Sequence, residues 1–526
     1  MEIDYKLPKK GWMDIPAELK KGFFCYGAKE KSLSAVSFPN SRQWSVLDAD
    51  WKLPENWKEI ILDGMAERLK KYRSFKLFMD ICVRCGACAD KCQVYLGTGD
   101  PKNMPVIRAE LLRSVYRRYF TKAGRLGKLV GARELTVEVL KEWWYYFYQC
   151  SECRRCSLFC PYGIDTAEIT MIGRELLNLL GLNIEWIAGP VANCYRKGNH
   201  LGLEPHTIKN SIDFLLDEIE EITGIKITPS FNRKGAEILL VIPSGDMFAD
   251  PGTYTCMGYM MLLHELGLDY TLSTYVSEGG NFGFFTSMEM AKRLNYKIYA
   301  EAKRLGVKWI LGGECGHMWR VISQYMDTYN GPCDFLETPV SPITGTEFTN
   351  AKSGKMVHIS EFTADLIKNG KLNLDPRRND HLKVTFHDSC NVARGMGMFE
   401  EPRHILKAVC NNFYEMAENT IREKTLCCGS GSGLNASENT ELRMRAGFPR
   451  ANAVQYVKEK HGVNMVACIC AIDRASLPPL LDHWVGDVGV CGVTELLANA
   501  LVMKGEKERT TDLRGQPLVN NKEQRL

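Results

Sequence analysis

Two cysteine runs dominate the chemistry this chain can do. Cys82, Cys85, Cys88 and Cys92 stand at steps of three, three and four residues, and Cys150, Cys153, Cys156 and Cys160 repeat those steps, with Pro161 directly after. Thiolates at this spacing are the ligands of paired cubane [4Fe–4S] clusters, three cysteines of one run holding one cluster while the fourth crosses to the other. The usual crossover assigns Cys82, Cys85, Cys88 and Cys160 to the first cubane and Cys150, Cys153, Cys156 and Cys92 to the second. Zinc sites and disulfides also use cysteines in short spacings. Two complete runs in one chain read instead as a path for electrons.

A second set lies far downstream: Cys390, the adjacent pair Cys427-Cys428 followed by Gly429, and Cys468 with Cys470. Neighbouring side chains diverge, so adjacent cysteines suit separate irons of one larger cluster better than a single ion. Gly429 lets the backbone turn tightly beside them, and the run Gly429-Ser-Gly-Ser-Gly433 offers free N–H groups to anionic sulfur. Cys428 is a candidate catalytic residue, and so are Cys315 and His317 in Gly313-Glu-Cys-Gly-His317. Cys315 is read three ways, as a sulfur acceptor or proton shuttle with His317, as a further cluster ligand, or as a structural cysteine. His387 is equally a packed residue and a proton donor.

The pattern Cys390, then Cys427-Cys428-Gly429, then Cys468 and Cys470 resembles the cysteine-rich "CCG" domain of heterodisulfide reductases. Two cubane motifs followed by paired CCG halves are similar to the catalytic subunit of the membrane-bound heterodisulfide reductase, and to its DsrK (HmeD) relatives in DsrMKJOP complexes. The resemblance extends to the amino-terminal phrases Lys10-Gly-Trp-Met-Asp-Ile-Pro16 and Ser45-Val-Leu-Asp48. It implies two cubane [4Fe–4S] clusters and one noncubane [4Fe–4S] cluster held by Cys390, Cys427, Cys428, Cys468 and Cys470. It implies electrons from a quinol-linked cytochrome b subunit (DsrM-like) and a substrate that is a disulfide, or the trisulfide of a DsrC-like sulfur carrier, in dissimilatory sulfur metabolism. One departure is the short Cys468-Ile-Cys470, which leaves open which cysteine takes which ligand position. The other is the first half, where Met247, Asn281-Phe282 and Gly312 replace thiols, so a single noncubane cluster is expected. Two other uses of similar motifs are the iron–sulfur subunit of a glycolate, lactate or glycerol-3-phosphate dehydrogenase, and a non-catalytic electron-transfer subunit.

The elements that must position these cysteines give an α+β multidomain chain. Residues 1–54 read as an extended partner-binding arm, and 55–185 as a mostly helical ferredoxin module, with a helix from Trp57 and another over 166–182 capped by Asp165. A linker is expected over 186–234. Beyond it short apolar strands alternate with helices, the pattern of parallel α/β structure. Val384-Thr-Phe-His-Asp-Ser-Cys390 echoes Val241-Ile-Pro-Ser-Gly-Asp-Met247, and Val463–Cys468 echoes Val307–Gly312, so a duplication is expected. The first, degenerate half covers 235–375, the second 376–503, and a polar tail 504–526.

Composition narrows the remaining classes. With 67 basic and 63 acidic residues the net charge is only +4, which gives no reason to expect nucleic acid as a partner. Basic residues between the cysteine runs, among them Arg113, Arg117, Arg118 and Arg125, form either a solvated face or a docking face for an acidic partner or anionic membrane surface. Cysteines that must be thiolates suit a reducing compartment. No signal-like start or membrane-length apolar stretch is seen, so the expected place is cytoplasmic, peripheral on the inner face of the membrane through partner subunits.

Overall fold

The computed structural model describes residues 53–349, 351, 354–435 and 440–518. The expected arm, but for its last two residues, and residues 519–526 of the tail lie outside the described residues.

The first module is built around helix Thr166–Leu179, whose Asp165 cap accepts hydrogen bonds from the backbone N–H groups of Ala167 and Glu168. Nearly every side chain of this helix is buried, because helices Trp57–Lys71, Pro105–Phe120 and Val137–Phe147 pack around it. Such all-round burial needs small residues at close approaches. At Gly173 a Cβ would lie 2.4 Å from the Phe147 ring. The helix begun at Trp57 breaks at Tyr72, whose extended backbone starts a second helix, Arg73–Asp80, leading to Cys82.

The stretch 186–234, expected as a linker, is largely helical and corrects that expectation. Glu185–Lys197 and Pro205–Thr223 are helices, and Ile208, Ile212, Leu215, Leu216 and Ile219 of the second are buried. Their steps of three and four residues are those of an amphipathic helix, which here packs onto helix Gly252–Glu265.

The α/β part contains two parallel sheets. The first holds β1 (Ser230–Phe231), β2 (Ile238–Val241), β3 (Tyr270–Leu272), β4 (Trp309–Gly312) and β5 (Met356–His358), in the order β1-β3-β2-β4-β5. The second holds β6 (Val384–His387), β7 (Met465–Cys468) and β8 (Gly489–Gly492), in the order β6-β7-β8. Apart from the half-buried edge strand β1 and the first residue of β8, the strands are buried on both faces, as parallel strands covered by helices must be. The duplication is visible in the register. Ile238 pairs with Trp309 in the first sheet, and Val384 pairs with Met465 in the second. Phe413 bridges Val384 in parallel, where β3 flanks β2 in the first half.

A buried charge network joins the halves. Arg474, after β7, donates twice to Asp246 at 2.6 Å and once to Glu314 at 2.7 Å, and Glu314 also accepts from the N–H and hydroxyl of Thr494 at 2.7 Å. Asp246 follows β2 and Glu314 follows β4, so the strand ends of both halves meet. Residues 504–518 straddle both halves, with the Lys504 N–H on Glu265 and the Lys507 N–H on Thr223 at one end, and Arg514 on Glu495 and Asp512 on His381 at the other. Among the described residues no helix is long and apolar enough to cross a membrane.

Candidate iron–sulfur and sulfur-reducing site

The two cysteine runs share one backbone shape. Arg84 and Glu152, each just before the second cysteine of its run, have φ of 57° and 55°, and Gly86 and Arg154, each just after it, have φ of 78° and 57°. Left-handed residues on both sides of a cysteine curl the loop, and three of the four positions accept that strain in a residue other than glycine.

The first run and its crossing partner line one pocket, in which Cys82, Cys85, Cys88 and Cys160 sit with Arg113 and Pro161. Cys85 is exposed and the other three are half-buried. Burial, with the neighbouring Cys160 and Cys82 sulfurs, pushes the Cys88 thiol up to about 11. Among the described residues no three His, Cys, Asp or Glu side chains are gathered closely enough to hold a single metal ion.

Around the second run lies a buried cation. Arg108 is 2 % exposed, donates to Asn103 at 2.7 Å, and leaves its Nε without a partner among the described residues. Its charge faces Cys92, Cys150 and Cys156, and among the described residues it makes no ion pair with a carboxylate. Burying a guanidinium without a counter-charge is expensive, so this place suits a permanently anionic group bound by those sulfurs. Soft donors, a shared pocket and a waiting counter-ion together fit [4Fe–4S] clusters.

The runs are tied directly to the downstream cysteines. Arg174 donates to the carbonyls of Phe147 and Cys150, to Glu152 at 2.6 Å, and to Ser432 in the loop after Gly429. Gln93, beside Cys92, accepts from the Cys427 N–H at 2.9 Å, and the Cys427 sulfur lies 3.4 Å from the Ser151 hydroxyl. The Cys153 thiol faces Cys427 on one side and Cys156 on the other. Arg394 clamps the junction, donating to the carbonyls of Cys153, Glu423 and Thr425.

Cys390 follows β6 and has Cys427, Cys153 and Arg394 as its near charges. The Cys427 thiol gains a hydrogen bond from Cys153, but its bond to Cys428 and burial push it up to about 12. Asp473, at the start of helix Ala471–Trp484, bonds the Cys428 thiol and the Ser389 hydroxyl and lies 3.5 Å from His387. His387 is thus a packed partner of Asp473, 1 % exposed.

Cys468 and Cys470 part company. The Cys468 sulfur is fully buried, 3.6 Å from the Cys491 carbonyl at β8. Cys470 turns toward the first half, where the Cys315 thiol and His317 hydrogen-bond to it and hold it well below the ordinary thiol range against the effect of burial. Cys315 and Cys470 each stand at the N-terminal boundary of a helix, Gly316–Asn330 and Ala471–Trp484, so two helix N-termini converge on the pair. His317 is half-buried, with its Nε2 2.7 Å from Asn391, which in turn is 3.6 Å from the Cys390 sulfur. Glu314, named in the sequence beside Cys315, points instead into the interior toward Arg474.

Cys315, His317 and Cys470 line a cavity of about 190 Å³ that reaches across to His200 and Glu278. Nothing in the sequence spacing marks His200 and Glu278. Their only signal is the rule that ligands collect at the carboxyl ends of parallel strands, which singles out Ser244, the residue they bond, after β2.

Comparison with known proteins agrees with this layout. Residues 78–164 match the family model of the 4Fe-4S dicluster domain, and residues 384–472 that of the cysteine-rich (CCG) domain. The chain is 54% identical to the Hdr-like menaquinol oxidoreductase iron-sulfur subunit 2 of Archaeoglobus fulgidus and 50% identical to the Hdr-like menaquinol oxidoreductase iron-sulfur subunit of Archaeoglobus profundus, each over 98% of both chains. It is 25% identical to a subunit of the dihydromethanophenazine:CoB–CoM heterodisulfide reductase of Methanosarcina acetivorans, over 81% of this chain and 95% of that one.

Proposed function

Since the chain belongs to the family of the Hdr-like menaquinol oxidoreductase iron–sulfur subunits, we propose that it passes electrons from a quinol-linked cytochrome b subunit to a site that reduces a disulfide or trisulfide. Cys82, Cys85, Cys88 and Cys160 hold one cubane [4Fe–4S] cluster, and Cys150, Cys153, Cys156 and Cys92 the other. Cys390, Cys427, Cys428 and Cys470 hold a noncubane [4Fe–4S] cluster, with Cys315 beside Cys470. The burial of Cys468 against the Cys491 carbonyl argues for a core role there. When bound, such clusters supply one-electron storage and a Lewis-acidic iron for sulfur.

The observation that carries the reading is the direct contact of the CCG loop with both cysteine runs: the Cys427 N–H donates to Gln93, beside Cys92, at 2.9 Å, and the Cys427 sulfur lies 3.4 Å from the Ser151 hydroxyl, between Cys150 and Cys153. The protein's part is to hold that junction dry and rigid. Arg394 and Arg174 pin both loops by their carbonyls, and burial of Cys427 and Cys428 keeps water from the sulfurs. Cys315 and Cys470, at two helix N-termini, offer a place where anionic sulfur is stabilised. The proposed substrate is the trisulfide of a DsrC-like carrier protein, and the proposed setting a DsrMKJOP-type complex at the inner face of the membrane.

The test is Cys428→Ser in the full chain, purified anaerobically. The wild type should carry about twelve irons, as three four-iron clusters. The variant should keep the cubane iron and lose reduction of a trisulfide by a reduced viologen dye. Unchanged turnover with intact cubanes would refute the catalytic reading.

A further inference from the structure

The half that lacks cluster cysteines is not empty of chemistry. Where the second half has Cys427 and Cys428, the first has Asn281 and Phe282, and both face the cavity shared with Cys315 and Cys470. A charged couple stands behind them. His200 Nδ1 lies 2.5 Å from Glu278 Oε1 and 2.8 Å from the Ser244 hydroxyl, and the Ser244 hydroxyl also donates to Glu278. The same carboxylate accepts from the His200 N–H at 2.9 Å and the Ser244 N–H at 3.3 Å.

The couple is held by the fold. His200 sits on the turn after helix Glu185–Lys197, and Gly198 in that turn has φ of +73° and approaches so closely that a Cβ would meet the Tyr275 carbonyl at 2.1 Å. Phe282 stacks on the imidazole at 4.9 Å and 15°. One edge and one face of the ring are therefore occupied. The remaining edge, Nε2, has no hydrogen-bond partner among the described residues, and the side chain keeps 24 % exposure, while Glu278 keeps only 3 %. A merely structural histidine–glutamate pair gains nothing from leaving that nitrogen open to a cavity lined by Cys315, His317 and Cys470.

Resting on the proposed reduction of sulfur–sulfur bonds, we propose that His200, charged through Glu278 and positioned by Ser244, is the acid that protonates the sulfur leaving from the bond being cleaved. Two electrons, which clusters bound at the proposed sites would supply, break RS–SR′; one thiolate, RS⁻, stays on the Cys315/Cys470 side, and the other takes the His200 proton and leaves as R′SH. Solvent returns the proton to His200 through the open cavity. An unprotonated thiolate is a poor product to release into an apolar cavity, so a buried acid facing the cysteines is what the reaction needs.

The charge state fits that role. Burial opposes the imidazolium, yet the Glu278 charge and hydrogen bond hold His200 above its ordinary range. The other titratable or charged groups facing the cavity are Asp246, Asp250, Arg474, His317 and the two thiols, and Asp246 is already bonded to Arg474.

The experiment uses the full chain with its iron quantified, a reduced viologen dye as donor and glutathione trisulfide as probe. His200→Gln should lower kcat by about 100-fold, leave KM within about threefold, and abolish the alkaline fall in rate that loss of an acid imposes. Glu278→Gln should move that fall to lower pH, and it serves if His200→Gln does not fold. Independently of turnover, a non-reducible thioether analogue of the probe should slow labelling of His200 by diethyl pyrocarbonate, read by mass spectrometry. Wild-type kcat and pH profile in His200→Gln at full iron content, or labelling indifferent to the analogue, would overturn the assignment. If Cys428→Ser also turned over normally, or the wild type failed to reduce the probe, the proposed function would fall and this site with it.

Discussion

Replacing Arg474 with methionine should loosen the joint between the two α/β halves, and by an amount that depends on pH. Methionine fills a similar volume but removes both 2.6 Å bonds to Asp246 and the 2.7 Å bond to Glu314, leaving carboxyls that are 1 % and 0 % exposed. Asp246 keeps only the Tyr259 hydroxyl at 3.2 Å, and Glu314 keeps Thr494. Breaking a buried ion pair in this way costs about 3–5 kcal/mol. Burial holds Asp246 at about 6 and Glu314 at about 7 even with Arg474 lowering both, so without it each rises further and binds a proton in the folded state. A carboxyl whose folded pKa exceeds its unfolded one loses stability as pH rises, by up to about 1.4 kcal/mol per unit for each group. The variant's deficit should therefore be largest near pH 8 and small near pH 5. Calorimetry on the intact chain should show a Tm loss of about 6–20 °C at pH 8, taking about 2–4 °C per kcal/mol for a unit of this size. Adding Asp246→Asn and Glu314→Gln should restore most of it. An equal loss at both pH values, or no recovery with the amides, would refute the reasoning.

Other expectations follow from the same contacts. Arg108→Gln should lower the midpoint potential of the second cubane by on the order of 100 mV in an EPR-monitored titration, since it removes a buried unit positive charge that faces Cys92, Cys150 and Cys156. The first cubane should not move. Cys470→Ser should lower the iron content or alter the EPR of the third cluster, whereas Cys468→Ser should leave both unchanged and cost only stability; the reverse pattern would exchange their roles. Gly173→Ala places a Cβ 2.4 Å from the Phe147 ring and should destabilise the first module by about 1–3 kcal/mol, measured by thermal unfolding.

Much of this protein is legible along the chain because its ligands come in short spacings. A run such as Cys82, Cys85, Cys88 and Cys92 is local, and cluster ligation imposes its own steps on the sequence, so the cofactor class can be read before any fold is known. The strands are legible for a related reason: a strand buried on both faces is mostly apolar, as Ile238–Val241 is throughout and Val384–Phe386 is but for Thr385. The stretch 186–234 reads as a linker because its polar helix faces mask a buried stripe whose partner, helix Gly252–Glu265, is distant in sequence.

What the sequence determined alone was therefore the electron path's cofactor class, the alternation of strands and helices, and the unequal halves. Only the tertiary structure decided which side chains share a site. Cys468 and Cys470 are two residues apart, yet one packs under β8 and the other crosses to Cys315, because Cys470 stands at a helix start that faces the other half. His200, Ser244 and Glu278 come from three separate segments and carry no common spacing. Ser244 and Glu278 meet because the parallel strands β2 and β3 bring their carboxyl ends together, and His200 joins them from the turn after helix Glu185–Lys197; a site built this way has no signature in any single stretch of chain.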